Sequence, residues 1–379
     1  MSLSLDLETL RQEFPVTRHW VYCNHAAVAP ISTRVANAIQ GVLTDLNEFG
    51  AVHWKSWGKT VEHARQLAAR LINCDPDEIA FVKNTSDGLS LLSNGLDWKW
   101  GDKVVSIDTE FPANVYPWLS LKKRGVELVT ISERKGRVDL HEIEQALDAR
   151  TRVLTVSYVQ YLSGFRVDLD ALGEMCRTRG IIFCVDAIQG LGAFEIDVRR
   201  QNIDFLSADG HKWMLATEGA GVAYLSKRIV DQVTPTVLGW MNVEHFNDFN
   251  QRELNFRHGA LRYECGSLNT IGIYGLAAAL NLLLEVGIKN ISGQILTITT
   301  HLCDGLSSKG YTVLGSRAHG EASGIVSFRP GIRGPETRAL FHRLEEARVA
   351  TALRGGHIRV APHFYNTQAE MDQILSVLP

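Results

Sequence analysis

The sequence lacks long apolar runs, a surplus of one charge and an N-terminus of the signal-peptide type. No stretch of about 18 apolar residues occurs, so the sequence predicts no transmembrane helix. Its 39 Lys and Arg residues and 42 Asp and Glu residues give a formal net charge of −3, which argues against a nucleic-acid-binding surface. The first residues are polar and contain neither the basic nor the apolar region of a signal peptide. We therefore expect a cytoplasmic protein that binds neither nucleic acid nor a membrane.

The six cysteines have no spacing that would mark a disulfide framework. No Cys-x-x-Cys pair is present, and several of the thiols lie within apolar segments. Buried unpaired cysteines behave as small apolar side chains, so we expect reduced core thiols of a cytosolic protein. The residues are Cys23, Cys74, Cys176, Cys184, Cys265 and Cys303.

Sequence motifs for dinucleotides, metals and nucleotide phosphates are also missing. Gly190-Leu191-Gly192 continues without the third glycine of Gly-x-Gly-x-x-Gly, which argues against a dinucleotide site of the usual kind. No His-Glu-x-x-His sequence and no Cys/His cluster with zinc spacing occurs, so no metal site is predicted. Gly58-Lys59-Thr60 resembles the end of a phosphate loop, but His53 stands where that motif needs a glycine.

The middle of the chain alternates between two kinds of segment. From about residue 79 to 225, short β-branched segments alternate with stretches that have apolar residues at helical spacing. This alternation predicts an α/β domain with a mostly parallel sheet and helices on both faces. The expected strands are Ile79–Val82, Lys103–Ile107, Glu127–Ile131, Val153–Tyr158, Ile181–Val185, Asp204–Ser207 and Gly221–Leu225, and the expected helices include Leu140–Leu147 and Leu169–Thr178.

The remaining segments predict a second, smaller unit. An aromatic-rich loop over about 233–260 precedes a helix at Thr270–Val286. Strand patterns at Ile325–Phe328 and His357–Val360, with a helix at Glu336–Glu346, indicate a small α+β domain. We expect 1–20 to form an N-terminal arm that packs with the small domain, 21–284 the large domain, and 285–379 the small domain.

Three polar segments stand at the ends of predicted strands. Asp186 follows an apolar strand, Lys212 follows the next one in Asp209-Gly210-His211-Lys212-Trp213, and Thr85 and Ser86 open a helix after the strand Ile79–Val82. Each alone is typical of a cap, a turn or a solvated side chain. Together they supply an acid, an amine and a phosphate cradle at one edge of the sheet. Those are the groups that pyridoxal phosphate requires, so we expect this cofactor.

The sequence resembles the class V aminotransferase group of fold-type I pyridoxal phosphate enzymes, which includes cysteine desulfurases and isopenicillin N epimerase-like proteins. The resemblance implies a mostly parallel seven-stranded sheet with helices on both faces and a small α+β C-terminal domain. It also implies a homodimer with active sites at the interface and an amino acid as the substrate. The motifs that carry it are Tyr22-Cys23-Asn24-His25-Ala26-Ala27, Glu110-Phe111-Pro112-Ala113-Asn114, Asp186 with Gln189, His211-Lys212, Arg262-Tyr263-Glu264-Cys265-Gly266-Ser267 and Pro362-His363-Phe364-Tyr365-Asn366.

The resemblance assigns roles to individual residues. Lys212 and Asp186 would be catalytic: Lys212 would hold the cofactor as a Schiff base and move the Cα proton, and Asp186 would pair with the pyridinium nitrogen. Arg359 would grip the substrate carboxylate with its planar guanidinium. Asn24 and His25 would lie near the substrate, although packing or capping explains His25 equally well. The other cofactor contacts would be Thr85, Ser86 and His211 at the phosphate, Gln160 and Gln189 at the phenolic oxygen, Phe111 at the ring, and Ser267 at the phosphate of the partner subunit.

Two departures from the family's pattern bear on the reaction. Cysteine desulfurases carry a ring-stacking histidine where this chain has Phe111 and Pro112, and Phe111 could stack on the ring but cannot relay a proton. Desulfurases also place a nucleophilic cysteine in the small domain, whereas no cysteine follows Cys303 here. The usual desulfurase route is therefore not expected.

We interpret the chain as an aminotransferase of class V type. Epimerisation and β-elimination such as C–S cleavage remain open, because the early steps of all three reactions use the same residues. A protein that kept the fold and lost its chemistry is a further alternative, against which the presence of Lys212, Asp186 and Arg359 argues.

Overall fold

A seven-stranded sheet lies at the centre of the chain, and a four-stranded sheet lies in its C-terminal part. The computed structural model describes residues 7–250, 252–331 and 336–379. The helices are α1 Leu7–Gln12, α2 Thr33–Phe49, α3 Trp54–Ile72, α4 Thr85–Gly95, α5 Tyr116–Leu119, α6 Leu140–Ala146, α7 Leu169–Arg179, α8 Thr270–Val286, α9 Ile288–Ser308, α10 Thr337–Glu346 and α11 Gln368–Val377. The strands are β1 Val21–Tyr22, β2 Ile79–Val82, β3 Lys103–Ile107, β4 Glu127–Ile131, β5 Thr151–Ser157, β6 Ile182–Asp186, β7 Phe205–Asp209, β8 Gly221–Leu225, β9 Thr312–Leu314, β10 Val326–Arg329, β11 Val349–Ala350, β12 Ala352–Arg354 and β13 His357–Val360.

The large sheet has the strand order β2-β8-β7-β6-β5-β3-β4. β8 runs antiparallel to β2 and β7, and the other neighbours are parallel, which confirms the expectation of a mostly parallel sheet. β6 and β7 are buried along their whole length. Such strands read as continuous apolar runs because helices cover both faces of the sheet.

Alternate residues of each central strand feed two apolar clusters on opposite faces of the sheet. In β6, Phe183 and Val185 face the cluster that contains residues of α3, α7 and α8. Ile182 and Cys184 face the cluster that contains residues of α4 and α5. The helices thus enclose the sheet from both sides and leave the strand ends open for polar side chains.

Several strand boundaries differ from the expectation by one or two residues. The expected strand Ile181–Val185 is observed as Ile182–Asp186, and Asp204–Ser207 as Phe205–Asp209. Apolar patterning misses these ends because the backbone of Asp186 and Asp209 still pairs in the sheet although the side chains are polar. Both carboxylates therefore stand on the last residue of a strand, where the sheet fixes their position.

The C-terminal sheet has the order β12-β13-β10-β9 and is antiparallel throughout. It packs with α9, α10 and α11 around a third apolar cluster. The N-terminal segment contacts this part of the chain: Arg11 donates to both carboxylate oxygens of Glu370, and Phe14 stacks on Tyr365 at 3.8 Å. The division into 1–20, 21–284 and 285–379 stays a prediction, and residues 1–6 lie outside the described part.

In the part of the chain that the structure describes, no single helix is long and apolar enough to cross a membrane. α8 and α9 meet the length and composition criteria only as a pair, and they are bent by 78° relative to each other.

Candidate active site

A cavity of about 360 Å³ opens at the carboxyl ends of β6 and β7. Ligands of open α/β sheets bind at this edge, beyond the ends of the parallel strands. Eight of the residues singled out in the sequence line this cavity: Thr85, Ser86, Phe111, Asp186, Gln189, His211, Lys212 and Arg359. The fold thus brings together side chains that are up to 274 positions apart, as Thr85 and Arg359 are.

Lys212 lies on the loop after β7 and is 9% exposed. Its Nζ lies 5.6 Å from the centre of the Phe111 ring, and no ion pair to it is found among the described residues. Burial lowers the pKa of Lys212 to about 8, and the positive charge of Arg359 acts in the same direction, whereas the Asp186 carboxylate opposes both. A buried amine that is partly neutral near pH 8 can attack an aldehyde.

Asp186 ends β6 and is 1% exposed. Burial and the negative charge of Glu110 raise the pKa of Asp186 to about 7, against the Ile188 N–H, which donates to Oδ1 at 3.1 Å, and the Lys212 ammonium. A cationic ring nitrogen placed against this carboxylate would favour its ionised form.

Glu110 anchors the loop that carries Phe111. Its carboxylate accepts hydrogen bonds from the Ser157 N–H at 2.7 Å, from Asn114 Nδ2 at 3.0 Å and from Gln160 Nε2 at 2.9 Å, and also from the Ser157 hydroxyl. Burial raises the pKa of this group, while these donors oppose the shift. Because Glu110 is fixed at the sheet, the next residue along the chain projects its ring into the cavity.

Thr85 and Ser86 form the first turn of α4, whose N-terminus opens on the cavity. Thr85 Oγ1 accepts a hydrogen bond from the Asp209 N–H at 3.1 Å, and its own hydrogen remains available as a donor. Gly88 lets the helix approach the sheet, since a Cβ there would lie 2.2 Å from Ser207 Oγ. Two hydroxyls at a helix N-terminus suit a phosphate group.

Asp209 is turned back toward its own backbone although it lines the same cavity. One carboxylate oxygen accepts from the Gly210 N–H at 2.7 Å, and the other lies 2.9 Å from His211 Nδ1. A capping role accounts for these contacts.

Arg359 is 3% exposed and has only part of its donor set in use. Nη1 donates to the Tyr161 carbonyl oxygen at 2.8 Å, and Nε is buried without a partner among the described residues. Burial, assisted by the charge of Arg354, lowers the pKa of Arg359 to about 10. A buried unpaired donor is costly, and a carboxylate that binds the guanidinium fork would relieve that cost.

Gln160 and Gln189 have their amides occupied by the protein. Gln160 is outside the cavity wall, and its Nε2 donates to Glu110. Gln189 lines the cavity, but Nε2 donates to the Ala26 carbonyl at 3.0 Å and Oε1 accepts from Trp213 Nε1 at 2.8 Å. Contacts of these side chains to a phenolic oxygen stay predictions, and Gln160 would have to give up its bond to Glu110 to make one.

His25 and Asn24 also lie outside the cavity wall, which Ala26, Ala27 and Val28 form instead. His25 is fully buried: Nδ1 donates to the Ala361 carbonyl at 2.8 Å, and Nε2 accepts from the Tyr365 hydroxyl at 2.6 Å. Burial lowers the pKa of His25 to about 4, so the ring is neutral near pH 7. This geometry favours the packing role for His25, and Asn24 is placed beside it by a parallel bridge to Ala361.

Ser267 lines a separate groove of about 240 Å³ and does not reach the cavity around Lys212. The groove also contains Lys83 and Asp87, which flank the start of α4 on either side of Thr85 and Ser86. The resemblance assigned Ser267 to a phosphate in a partner subunit, and that role stays a prediction.

Tyr161 and Arg354 are among the cavity residues that sequence reasoning missed. The Tyr161 ring meets Phe111 edge-on, with 5.3 Å between the ring centres. Arg354 ends β12, and two residues separate it from the start of β13. The glycine pair between the two strands was a hairpin signal that could have located it on the face of Arg359.

None of the six cysteines lines the cavity. Cys303, the last one in the sequence, lies within α9 and is buried. A thiol nucleophile of the desulfurase type is therefore missing from the cavity wall.

The cavity fits pyridoxal phosphate by the chemistry of its donors. Lys212 supplies an unpaired amine for the aldehyde, Asp186 a buried carboxylate for the ring nitrogen, and Thr85 with Ser86 a helix N-terminus for the phosphate. The orphaned Nε of Arg359 leaves a donor for the carboxylate of an amino acid.

Comparisons with known proteins agree over almost the whole chain. The sequence profile described as aminotransferase class-V matches residues 21–374. The chain is 30% identical over 394 residues to a probable cysteine desulfurase of Pyrococcus abyssi. That alignment covers 98% of this chain and 96% of the relative. It is also 30% identical over 364 residues to an uncharacterized aminotransferase of Bacillus subtilis. That alignment covers 96% of this chain and 95% of the relative. The apo structure of a cysteine desulfurase from Thermococcus onnurineus NA1 matches with a TM-score of 0.89 and 25% identity, over 98% of this chain and 96% of that one.

Proposed function

The chain belongs to the class V aminotransferase family of pyridoxal phosphate enzymes, and on that premise we propose that it transfers the amino group of an amino acid to a keto acid. One observation carries the proposal: a buried, unpaired lysine amine shares a cavity with a buried carboxylate and a buried arginine that has a free donor. Amino-group transfer needs a group that moves a proton, an anion opposite the ring and a grip for the carboxylate.

Each of these needs has a residue in the cavity. Pyridoxal phosphate, when bound, supplies an electron sink for the electron pair left on the α-carbon when one of its bonds breaks. Lys212 would hold the cofactor through Nζ, and the same nitrogen, once released, would take the α-proton and return it elsewhere. Asp186 would keep the ring nitrogen protonated, and burial strengthens that interaction.

Arg359 and Phe111 would orient the substrate and the cofactor. The free donors of Arg359 suit the α-carboxylate of an amino acid, which fixes the α-carbon relative to Lys212. The exposed ring of Phe111 lies beside Lys212 Nζ and would stack against an aromatic cofactor. Phe111 carries no titratable group and cannot move a proton, a role that we give to Lys212.

Product analysis tests this proposal. The purified protein, loaded with pyridoxal phosphate, is incubated with each of the common L-amino acids and with 2-oxoglutarate or pyruvate as acceptor. We expect one donor to yield its keto acid and an equal amount of the new amino acid, with no product from a Lys212→Ala variant. Keto acid formed with ammonia and without an acceptor, or a D-isomer alone, would contradict amino-group transfer.

A second candidate is cleavage of a C–S bond. Relatives at 30% identity include a protein named as a probable cysteine desulfurase, whereas the cavity of this chain contains no cysteine to carry a persulfide. Elimination from a sulfur-containing amino acid needs no such cysteine. Release of sulfide or persulfide together with pyruvate and ammonia in the same incubations would favour this candidate over amino-group transfer.

We also propose that the working unit is a homodimer. Several large apolar side chains in and beside the loop before α8 are exposed in the single chain: Val237, Leu238, Trp240, Phe249 and Leu254. Ser267 follows the same segment and faces a groove beside the start of α4. Sedimentation velocity should give a dimer at micromolar concentration, and an active species that sediments as a monomer would refute the proposal.

A further inference from the structure

We propose that the cavity selects amino acids whose side chain carries a second carboxylate, which Arg354 binds while Arg359 binds the α-carboxylate. This inference rests on the proposed function, since it names the substrate class of the same site. It assigns to Arg354 a specificity-determining role that the sequence analysis did not give it.

The hairpin β12–β13 places the two guanidinium groups on one face. Ala352 pairs with Arg359, and Arg354 pairs with His357, in an antiparallel ladder. Arg354 and Arg359 are therefore diagonal neighbours whose side chains leave the same face of the hairpin, with Cα atoms about 7–8 Å apart. Both line the cavity, so the two cations face one ligand.

The turn between the strands fixes this arrangement. Gly355 and Gly356 have φ angles of 51° and 75°, the combination of a tight two-residue hairpin turn. A Cβ at Gly355 would lie 3.1 Å from Leu162 Cδ2, so the turn also packs closely on the loop after β5. The register of the hairpin, and with it the spacing of the two arginines, is set by these contacts.

Neither arginine has a carboxylate partner among the residues that the structure describes. Arg354 donates from Nη1 to the neighbouring Leu353 carbonyl at 3.0 Å, and Arg359 donates to Tyr161. The charge of Arg354 contributes to the lowered pKa of both Arg359 and Lys212. Like charges that face each other without a counter-ion repel, and an anionic ligand with two carboxylates would neutralise both.

The remaining wall of the cavity suits the carbon chain between two acids. Phe111 and Tyr161 contribute aromatic surface, and Ala26, Ala27 and Val28 contribute small apolar side chains. The acidic residues of the wall are already engaged: Asp209 caps Gly210, and Asp186 is buried at the end of β6. A substrate with a short aliphatic chain and an acid at each end matches this distribution of polar and apolar groups.

The test compares each acid with its uncharged amide of the same shape. The pyridoxal phosphate-loaded protein is titrated with L-glutamate, L-glutamine, L-aspartate and L-asparagine, and the absorbance of the bound cofactor reports binding. The wild type is compared with Arg354→Gln and with a control, Arg329→Gln, which removes an exposed arginine from the same small sheet outside the cavity.

We expect at least one acid to bind about tenfold or more tightly than its amide in the wild type and in the control. In Arg354→Gln this ratio should fall toward one, with the affinity for the amide unchanged. Because Arg354 is exposed, the wild-type ratio should also narrow as the salt concentration rises.

Three results would overturn the inference. Equal affinities for acid and amide in the wild type would do so, as would an undiminished ratio in Arg354→Gln. Weaker binding of pyridoxal phosphate itself in Arg354→Gln, at an unchanged ratio, would assign Arg354 to the cofactor phosphate instead. A spectral response to the amides without a preference for the acids, or no response to any of the four, rejects the inference alone; the proposed function is rejected only if none of the common L-amino acids acts as a donor in the product analysis.

Discussion

Two arginines of the molecule are equally buried and differ in what they bind. Arg65 of α3 and Arg359 of β13 are each 3% exposed. Arg65 donates to both carboxylate oxygens of Glu264, at 2.8 and 3.1 Å, and to the Ile79 carbonyl at 2.6 Å. Within the described part of the chain, Arg359 has a single carbonyl partner and an orphaned Nε. Burial alone therefore does not tell a structural arginine from a ligand-binding one, whereas the completeness of its hydrogen bonds does.

Two buried acidic residues, Glu264 and Asp186, show the same contrast. Glu264 is almost completely buried and fully used, since it also accepts from the Phe81 N–H at 2.9 Å and so ties α3 to β2. Asp186 is equally buried, but its pKa is raised to about 7, and Lys212, whose charge opposes that shift, forms no ion pair with any described residue. Asp186, Lys212 and Arg359 all depart in this way from the pairing expected in a stable interior, and all three line one cavity, as expected where a ligand completes the site.

The largest effect should come from breaking the structural pair. Arg65→Met removes both close hydrogen bonds of the arginine to the buried Glu264 carboxylate and leaves only Arg257 Nη1, at 3.9 Å, as a cationic neighbour among the described residues, so we expect a loss of about 3–5 kcal/mol in the free energy of unfolding. Arg359→Met is the matched control, because it removes an equally buried arginine that has no carboxylate partner among the residues described. Denaturant unfolding at a fixed protein concentration measures both, and an equal loss in the two variants would refute the contrast.

Asp186→Asn should reduce turnover strongly, and it should remove the cost of a buried carboxylate charge from the folded state. We expect amino-group transfer to fall about 10²–10³-fold, as for the loss of other fixed charges at reacting centres. Because the folded pKa of about 7 lies above the ordinary value of 3.8, the folded state retains a proton between these pH values that the unfolded state releases. The unfolding free energy of the cofactor-free wild type should therefore decrease as pH rises from about 4 to 7.

Denaturant unfolding of the wild type and of Asp186→Asn between pH 4.5 and 8 tests this predicted decrease in unfolding free energy. The decrease between pH 4.5 and 7 should be smaller in the variant, which has no carboxyl to titrate at this position. Lys212 has the opposite effect on stability at higher pH. Its pKa of about 8 in the folded state lies below the ordinary 10.5, so the unfolding free energy should rise with pH between these two values. A steeper decrease in the variant would contradict the assignment to Asp186.

Replacement of Arg359 should affect substrate binding and spare the fold. Arg359→Met removes a charged grip for the α-carboxylate, so the apparent affinity for amino acids should fall about 10–100-fold. Arg359→Lys, which keeps the charge and loses the planar fork, should recover only part of it. Spectral titration of the cofactor-loaded variants measures this, and wild-type affinity in Arg359→Met would exclude the role.

The smallest effect is expected at Phe111. Phe111→Leu keeps an apolar side chain and removes the ring beside Lys212, so cofactor affinity should fall by about 0.5–1.5 kcal/mol, the usual worth of an aromatic contact. Phe111→Tyr keeps the ring and serves as the control. An equal loss in both variants would show that the ring is not what the cofactor contacts.

The sequence predicted the sheet and the cavity where local pattern and topology determine them. β2, β3, β4 and β8 lie within the expected bounds because each is an apolar segment bounded by turn or helix signals. Lys212, Asp186 and Thr85 share one cavity because parallel strands present their carboxyl ends at a single edge. The resemblance to the class V aminotransferases, on which the roles rest, is confirmed by the profile that matches residues 21–374.

The rest depended on where side chains turn, which local pattern does not contain. Gln160 turns to Glu110, and His25 lies between Ala361 and Tyr365, because buried polar atoms must find partners from distant parts of the chain. Arg354 is recognisable in the sequence as the residue before a glycine pair. The role that we propose for it follows only from the register of β12 with β13, which places it on the face of Arg359.

The most direct test of the account asks which nitrogen binds the cofactor. The protein is incubated with pyridoxal phosphate, reduced with borohydride, digested and analysed by mass spectrometry. We expect a single stable adduct on the peptide that contains Lys212, and none in Lys212→Ala. An adduct on another lysine, or a wild-type protein that acquires none, would contradict the assignment of the cavity between β6 and β7 as the active site.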